Sequence, residues 1–293
     1  MVESKKNMKK FFSLLCLALL MPALSARAGQ VVTDSLQSRI LGVQVKYNVY
    51  LPDSFGKDNR RYPVVYLLHG LSDDYLSWVQ KGNMQTVVDE LIGTGEAREM
   101  VIVMPNAGGP DVRHTWNGYF NMPGWSYEDF FFKELLPAVE VRYRIVGDKG
   151  HRAVMGLSMG GGGSVVYCQR HPELFSSCYA MSAWLDNKQD ITGYADAERD
   201  CLYYVSEAVR EHSALDFLDR ADGETLAKLR SVAWFIDCGD DDFLLDLNVA
   251  FHQKMRNHRV KSELRVRNGV HNWEYWHLAL RLALPFASRN FTD

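Results

Sequence analysis

A five-residue motif, Gly156-Leu157-Ser158-Met159-Gly160, places a serine between two glycines. It follows the apolar run 153–155 and precedes a stretch, 164–169, that can form a helix. This G-x-S-x-G layout is typical of a nucleophile elbow, a sharp strand-to-helix turn that holds a serine hydroxyl clear of a sheet. Glycines suit such a turn, because side chains on either side of it would collide. Glycines 161–163 further predict close approach of the following helix to the sheet. A glycine-rich surface loop is the plainer alternative.

A serine hydroxyl becomes a nucleophile when a base removes its proton, and histidine oriented by a carboxylate is the usual base. In hydrolases with this elbow the order along the chain is serine, acid, histidine. His271 follows the last predicted strand and is the predicted base. The acid comes from Asp240, Asp241 or Asp242, and we favour Asp242 because the chain needs a few residues to turn back toward Ser158. A solvated or calcium-binding acidic turn is the alternative for this cluster.

Stabilising the charge of an ester intermediate requires two backbone N–H groups aimed at one point. Met159, the residue after the serine, is expected to supply one of these amides. The other is expected in the segment 69–71 after the first buried strand, and we favour the Leu71 amide. His69 is expected to be structural, and an ordinary strand-ending turn is the alternative for the segment.

Several aromatic residues lie in loops on the same side of the predicted sheet: Trp78, Trp116, Tyr119, Trp125 and Trp273. Aromatic loops above a sheet can form a cleft for a flat or sugar-like group, although aromatics also fill cores. We predict substrate contacts for Trp78, Trp116, Tyr119 and Trp273. The sequence has no H-E-x-x-H, C-x-x-C, phosphate-loop or dinucleotide motif, so no metal and no cofactor are expected.

The elements that must position these residues alternate along the chain. Apolar or alternating runs predict strands at 43–51, 64–68, 101–104, 152–155, 177–181, 232–238 and 263–267. Helical patterns occur at 84–92, after a predicted N-cap at Ser126, at 224–229, at 251–258 and at 274–286, and Pro137 is expected to kink a helix or start a second one. This alternation predicts an α/β protein with a mostly parallel sheet and helices on both faces. Residues near 186–230 are predicted to form an insertion beside the sheet.

The N-terminus has the pattern of a secretory signal. Four lysines between positions 5 and 10 precede the apolar run 11–20, and Ala26-Arg27-Ala28 offers a cleavage site. We therefore predict a signal peptide over 1–28, a single catalytic domain over 29–293, and a periplasmic or extracellular location. An uncleaved anchor is the alternative, and a lipid anchor at Cys16 is disfavoured because the residues before it are not small.

Cleavage would remove five positive charges and one negative charge, which takes the net charge of the 293-residue chain from −3 to −7. An acidic chain does not favour nucleic acid or an anionic membrane surface. Cysteines 168, 178, 201 and 238 would remain, and their spacing indicates no metal knuckle or bridge. We expect these cysteines to be buried thiols, and the sequence leaves open whether one disulfide forms.

Six blocks occur in order: His69-Gly70-Leu71, Val103-Met104-Pro105-Asn106, Gly156–Gly161, His171–Phe175, Cys238–Asp242 and Gly269–Trp273. Together they resemble the putative-esterase family of α/β-hydrolases, over roughly residues 40–285. That family includes feruloyl and acetyl xylan esterases of carbohydrate esterase family 1, esterase D and the antigen 85 mycolyltransferases. The resemblance implies an α/β-hydrolase fold with little or no lid. Many members have Gly-Gly-His where this chain has Gly269-Val270-His271.

By the same resemblance, Ser158 is the nucleophile, Asp242 the orienting acid, His271 the base, and Leu71 and Met159 the oxyanion amides. The expected function is that of a secreted serine carboxylesterase that forms an acyl-enzyme and removes feruloyl or acetyl groups from plant polysaccharides or oligosaccharides. The alternatives are a mycolyltransferase-type acyltransferase, an S-formylglutathione hydrolase-like esterase, and a carbohydrate-binding protein on an inactive fold. The expected partner is the ester substrate, with neither nucleic acid nor stable membrane insertion, and the oligomeric state stays open.

Overall fold

The computed structural model describes residues 28–187 and 199–293. Almost all of the predicted signal peptide, and residues 188–198 of the predicted insertion, lie outside the described residues. The strands are β1 (Gln30–Gln37), β2 (Gln44–Leu51), β3 (Val64–Leu68), β4 (Val101–Pro105), β5 (Asn121–Met122), β6 (Trp125–Ser126), β7 (Arg152–Leu157), β8 (Ser177–Met181), β9 (Ala233–Gly239) and β10 (Glu263–Arg267).

The helices surround these strands. They are α1 (Ser77–Gln80), α2 (Met84–Thr94), α3 (Tyr127–Phe130), α4 (Leu136–Arg142), α5 (Met159–Arg170), α6 (Cys201–Glu211), α7 (Ala214–Arg220), α8 (Gly223–Leu229), α9 (Leu245–Asn257) and α10 (Trp273–Asn290). A π-helical turn, Phe131–Leu135, joins α3 to α4, and a 3₁₀ turn, Lys149–His151, precedes β7.

Eight strands form one sheet in the order β1-β2-β4-β3-β7-β8-β9-β10. The pairs β1–β2 and β2–β4 are antiparallel, and all the remaining pairs are parallel. The mostly parallel sheet of the α/β prediction is therefore confirmed. In such sheets the carboxyl ends of the central strands are where ligands bind.

The central strands are buried on both faces, as their continuous apolar sequences predict. In β3, Val64 and Tyr66 belong to one buried cluster while Val65 and Leu67 belong to a second. Successive side chains of a strand point to opposite faces, so the two clusters cover the two sides of the sheet. Helices α2 and α10 pack in the second cluster, and α5 and α9 pack in the first.

The predicted strands are confirmed within two residues, whereas α5 and α9 begin five and six residues before their predicted starts and α10 ends four residues after its predicted end. Pro137 lies in the first turn of α4, as predicted for a residue that begins a second helix. Ser126 precedes α3 as predicted, but its side chain caps no helix amide. Strand β1 and the short β5–β6 hairpin were not predicted from the sequence, since β1 is a half-exposed edge strand with few apolar residues. No helix in the described ranges is long and apolar enough to span a bilayer.

Candidate active site

Ser158, His271 and Asp242 meet at the carboxyl edge of the sheet. Nε2 of His271 lies 3.0 Å from Oγ of Ser158, and Nδ1 of the same ring lies 2.8 Å and 3.0 Å from the two carboxylate oxygens of Asp242. The three residues follow β7, β9 and β10, so they are brought together by the sheet although 113 positions separate the serine from the histidine. Both ring nitrogens are engaged: in the tautomer that carries its proton on Nδ1, that N–H group donates to the carboxylate and Nε2 faces the serine hydroxyl as an acceptor.

Ser158 lies in a strained turn between β7 and α5. Its φ of 52° and ψ of −118° are far from the conformations that most side chains prefer. A Cβ on Gly156 would lie 2.6 Å from the Gly160 carbonyl, and a Cβ on Gly160 would lie 2.5 Å from the His69 carbonyl oxygen. The two glycines of the motif are therefore required by backbone contacts across the turn, which is the mechanical reason expected from the sequence.

The three glycines that follow also contact backbone or ring atoms directly. A Cβ on Gly161 would lie 3.0 Å from Ala183, one on Gly162 would lie 2.1 Å from the Trp184 carbonyl oxygen, and one on Gly163 would lie 3.0 Å from the Tyr119 ring. The predicted close approach of α5 to the sheet is confirmed. It places the amino end of that helix, with its unpaired N–H groups, directly behind the serine.

Of the three clustered aspartates, Asp242 is the one that contacts the histidine. Its side chain is fully buried, and its Oδ1 accepts a hydrogen bond from the Leu244 amide at 2.9 Å. Burial raises the pKa of Asp242, but hydrogen bonds from His271, Leu244 and Ser182 outweigh that effect and hold it below its ordinary value. The carboxylate is therefore ionised beside the imidazole.

The neighbouring aspartates have other contacts. Asp240 is exposed, and its Oδ1 accepts a hydrogen bond from the Gly269 amide at 2.9 Å, which ties the acid loop to the histidine loop. Asp241 is exposed as well. Asp237, within β9, is fully buried and accepts hydrogen bonds from the Tyr179 and Tyr275 hydroxyls.

Aromatic rings flank the imidazole of His271. The Phe243 ring centroid lies 4.4 Å from it, and the Trp276 ring meets it edge-on at 4.9 Å. Phe243 is 77% exposed, which is unusual for so large an apolar side chain. The histidine itself is 16% exposed, so one side of the ring can be reached from solvent.

The predicted oxyanion amides lie on the two segments that face the serine. Met159 is the first residue of α5, where the N–H group has no partner within the helix. The Leu71 amide makes no hydrogen bond within the described chain. A Cβ on Gly70 would lie 3.5 Å from the Ser158 Cβ, so the segment that carries Leu71 passes directly over the nucleophile turn.

His69 has the structural role expected of it. Its ring is 1% exposed; Nε2 accepts a hydrogen bond from the Ala107 amide at 2.9 Å, and Nδ1 lies 2.8 Å from the Gly70 carbonyl oxygen. Burial lowers the pKa of His69, so the ring is neutral and holds two loops together.

The four aromatics predicted to contact substrate divide into two groups. Trp78 and Tyr119 are each 1% exposed, and they donate hydrogen bonds to the Leu68 and His69 carbonyls. Because both rings are buried, they have no surface for contact with a substrate. The predicted substrate contacts of Trp78 and Tyr119 are therefore wrong, and the two rings instead pack against the strand end below the site. Trp116 and Trp273 are half-buried and keep an accessible edge.

The accessible tryptophans lie in two different settings. Trp116 stacks on Trp125 with centroids 6.3 Å apart and an interplanar angle of 7°, and Tyr204 of α6 packs beside it. Trp273, two residues after the histidine, packs edge-on against Trp78 at 5.1 Å. Trp125 also stacks on Tyr127, with centroids 6.2 Å apart, and Trp273 is the first residue of α10.

Residues 28–187 and 199–293 contain no cluster of three or more histidine, cysteine, aspartate or glutamate side chains arranged to hold a metal. Cysteines 168, 178, 201 and 238 are free thiols, and all but Cys201 are buried.

Two residues of the site were not found from the sequence. Phe243 directly follows the acid, and Ser182 follows β8 at the same edge of the sheet, where its hydroxyl accepts a hydrogen bond from Trp276. Ser182 could have been flagged by one signal, because it is a polar residue directly after a buried strand, as Ser158 and the acidic cluster are.

Comparison with known proteins finds esterases among the proteins that this chain resembles. A family model described as Putative esterase matches residues 38–287. A solved ferulic acid esterase is 48% identical with a TM-score of 0.86, over 90% of this chain and 99% of that one.

Curated relatives are more distant. An endo-1,4-beta-xylanase/feruloyl esterase of Xylanibacter ruminicola is 32% identical over 151 residues, which is 50% of this chain and only 20% of that protein. The chain thus spans about a fifth of the length of that relative. A diacylglycerol acyltransferase/mycolyltransferase Ag85B of Mycobacterium avium is 25% identical over 92% of this chain and 89% of the other.

Proposed function

The chain belongs to the putative-esterase family, and we propose that it is a carboxylic-ester hydrolase whose catalytic triad is Ser158, His271 and Asp242. The observation that carries this assignment is the pair of contacts on one imidazole, 3.0 Å to the serine hydroxyl and 2.8 Å to the carboxylate. A serine, a base and an orienting acid within hydrogen-bond reach are the requirements for nucleophilic catalysis.

In the proposed reaction, Ser158 Oγ attacks the ester carbonyl carbon while His271 Nε2 takes the hydroxyl proton. The carbonyl oxygen becomes negative, and the Leu71 and Met159 amides donate to it. The C–O bond to the alcohol then breaks, and the histidine returns its proton to the leaving oxygen. The products of this half-reaction are the free alcohol and an ester of the serine.

Water completes the cycle by the same route. His271 removes a proton from water, the resulting hydroxide attacks the acyl-serine, and the acid leaves as the serine regains its proton. Asp242 stays ionised throughout and stabilises the imidazolium that forms in each half-reaction. Its pKa, held below the ordinary value by three hydrogen bonds, suits that constant charge.

We propose a feruloyl ester of a plant saccharide as the substrate, in preference to an acetyl ester. The support is the 48% identity to a ferulic acid esterase together with the exposed Phe243 ring beside the base. A feruloyl group carries a flat aromatic ring, which stacks well on another ring.

A substrate panel tests this proposal. The kcat/KM for methyl ferulate is expected to exceed those for p-nitrophenyl acetate, acetylated xylan and S-formylglutathione. Phe243→Ala should raise the KM for methyl ferulate roughly 5- to 10-fold, the loss of one aromatic contact, and leave the KM for p-nitrophenyl acetate unchanged. Faster release of acetate from xylan, or faster cleavage of S-formylglutathione, would contradict the feruloyl assignment.

Acyl transfer to a sugar is the second candidate, supported by the similarity to Ag85B over most of the chain. The same acyl-enzyme would be attacked by a sugar hydroxyl instead of water. Product analysis of methyl ferulate with a large excess of xylobiose separates the two functions. Free ferulic acid is expected to dominate, and a majority of feruloylated sugar would contradict the hydrolase proposal.

We also propose that residues 1–28 direct export and are removed. The Gly29 amide nitrogen is buried and lies 2.8 Å from Asp89 Oδ1, which also accepts from the Tyr50 hydroxyl. Cleavage before Gly29 would place a new ammonium group on that carboxylate. Sequencing of the amino terminus after expression in a secreting bacterium should begin at Gly29, and a retained leader in the active enzyme would contradict the proposal.

A further inference from the structure

Asp237 is a buried carboxylate that the triad does not use. It lies in β9 with none of its surface exposed, and both of its oxygens accept hydrogen bonds from tyrosine hydroxyls. Tyr179 donates to Oδ2 at 2.6 Å, and Tyr275 donates to Oδ1 at 2.5 Å. Burying a carboxylate is costly unless it is paired or hydrogen-bonded. Because the loss of either hydrogen bond would cost stability, the carboxylate holds both tyrosines in place.

One of these two tyrosines belongs to the helix that follows His271. Tyr179 lies within β8, whereas Tyr275 lies in the first turn of α10, four residues after the histidine. Arg267, at the end of β10, also holds Tyr275. Its guanidinium carbon lies 3.4 Å from the centroid of the tyrosine ring, and its Nη2 donates to the tyrosine carbonyl at 2.5 Å. Tyr275 is thus fixed at its hydroxyl, at the face of its ring and through its backbone.

The loop that carries His271 contacts Tyr275 on both sides of the histidine. Before the histidine, a Cβ on Gly269 would lie 2.4 Å from a ring carbon of Tyr275, so the loop backbone lies directly against the ring. After the histidine, the Asn272 side chain accepts a hydrogen bond from the Tyr275 amide at 3.0 Å. The Gly269 carbonyl also accepts from the Asp241 amide at 3.1 Å. The histidine loop is therefore tied both to the acid loop and to the tyrosine.

We propose that Tyr275, anchored by its hydroxyl to Asp237, is a positioning residue that holds the His271 imidazole in its catalytic position. This inference rests on the proposed function, because it takes His271 as the base. Proton transfer requires the 3.0 Å contact between Nε2 and the serine hydroxyl to be kept. A displacement of about 1 Å at a catalytic group can cost about 100-fold in rate. A ring that loses its anchor can shift, and the loop that lies against it would shift with it.

Tyr275→Phe removes the hydroxyl and keeps the rest of this arrangement. The ring against Gly269 and the amide that donates to Asn272 both remain, so the contact that is lost is the anchor on Asp237. We expect kcat for methyl ferulate to fall about 10- to 100-fold with KM nearly unchanged, because the base is displaced while the groups that bind the substrate are not altered. An unchanged kcat would overturn the proposal.

Tyr179→Phe is the matched control. It removes the other hydroxyl from the same carboxylate, and Tyr179 is as buried as Tyr275, but it lies in β8 and outside the histidine loop and its helix. Both variants leave Asp237 with one hydrogen bond fewer, so both should lower the midpoint of urea unfolding by a similar amount. Tyr179→Phe should nevertheless retain kcat within about twofold. An equal loss of kcat in the two variants would overturn the proposal, because it would show that the buried carboxylate supports the core and not the base.

If Tyr275→Phe does not fold, its combination with Asp237→Asn removes the buried charge that has lost a donor. The double variant should then show the same fold loss of kcat relative to Asp237→Asn alone, and equal kcat values in these two variants would overturn the proposal.

His271→Ala distinguishes the failure of this inference from the failure of the proposed function. A large loss of activity in His271→Ala, together with an unchanged kcat in Tyr275→Phe, would overturn the inference and leave the triad intact. Normal activity of His271→Ala would instead overturn the proposed function.

Discussion

The carboxyl ends and the amino ends of strands β7 to β10 differ in how they hold their polar and charged groups. At the carboxyl end the chain turns through two half-buried or buried serines with positive φ, Ser158 and Ser182, and a carboxylate faces an imidazole. At the amino end it lines a cavity of about 590 Å³, whose wall includes Lys149, Arg230 and Lys261.

The charged groups of the amino end are held differently from those of the site. Arg230 donates to the His258 and Arg259 carbonyls, and Lys149 donates to the Pro172 carbonyl and a serine hydroxyl. Arg259 also has a positive φ, 57°, but it is exposed just after a helix, where left-handed residues are common.

The comparison shows that neither the volume of a cavity nor the charged side chains around it identify the candidate active site of this protein. In the large cavity Arg230 and Lys149 donate to neutral acceptors, and Arg289 pairs with Glu263 at 2.9 Å. The site has strained, buried backbone and one imidazole contacted from both sides. Substitution of the triad side chains should therefore lower activity, whereas substitution of the charged side chains at the amino end should leave activity nearly unchanged.

The largest expected effect is that of Asp242→Asn. An amide cannot neutralise the imidazolium and lets the ring adopt the wrong tautomer, so kcat for methyl ferulate should fall about 10³- to 10⁴-fold. Asp241→Asn at the same loop and Arg230→Gln at the amino end are the controls, and both should retain kcat/KM within about twofold of the unaltered enzyme. Equal losses in Asp242→Asn and Asp241→Asn would contradict the assignment of Asp242, rather than Asp241, as the orienting acid.

The next effect is on folding. Gly160→Ala would place a Cβ 2.5 Å from the His69 carbonyl oxygen and 2.6 Å from the Leu68 carbonyl oxygen. Backbone must shift to accept it, which should lower the free energy of unfolding by about 1–3 kcal/mol or more. The measurement is chemical denaturation followed by circular dichroism.

Gly93→Ala is the matched control for that prediction. Gly93 is exposed within α2, and a Cβ there would meet no atom within 4 Å. Alanine should raise the free energy of unfolding by about 0.5–1 kcal/mol, because glycine is a poor helix former. A destabilised Gly93→Ala together with an unaffected Gly160→Ala would show that close packing behind the serine is not what selects glycine.

The smallest effect concerns the edge strand β1, far from both ends. Burial raises the pKa of Asp34, but hydrogen bonds from Tyr143, Ser35 and Tyr47 and the charge of Arg142 hold it below its ordinary value. The resulting stabilisation is present above the unfolded pKa, about 3.9, and is lost as the pH falls through the folded pKa. Asp34→Asn should therefore flatten the loss of stability at acid pH, and an unchanged slope of unfolding free energy below pH 4 would contradict this.

Much of the fold and the central part of the site could be predicted because each had a local signal. The buried strands are continuous apolar runs, and β3 and β8 have the predicted bounds. The nucleophile turn has the G-x-S-x-G motif, whose two glycines are required for steric reasons. The choice of Asp242 over its neighbours depended on loop length, which the sequence also provides.

The rest required three-dimensional contacts. Strand β1 is held by pairing with β2 along its whole length, and its half-polar sequence alone does not indicate a strand. Loop aromatics carry no sign of which way they face, so Trp78 and Tyr119 could not be distinguished from Trp116 in sequence. Ser182 belongs to no motif, and its left-handed backbone conformation, with a φ of 47°, is visible only in the structure.

The central claim is that Ser158 is activated by His271 at the carboxyl edge of the sheet. Intact-mass and peptide mass spectrometry after exposure to an alkyl fluorophosphonate tests it most directly. We predict one adduct per chain, located on Ser158, formed far more slowly in His271→Ala and absent in Ser158→Ala. An adduct on another residue, or unchanged ester hydrolysis by Ser158→Ala, would contradict the account.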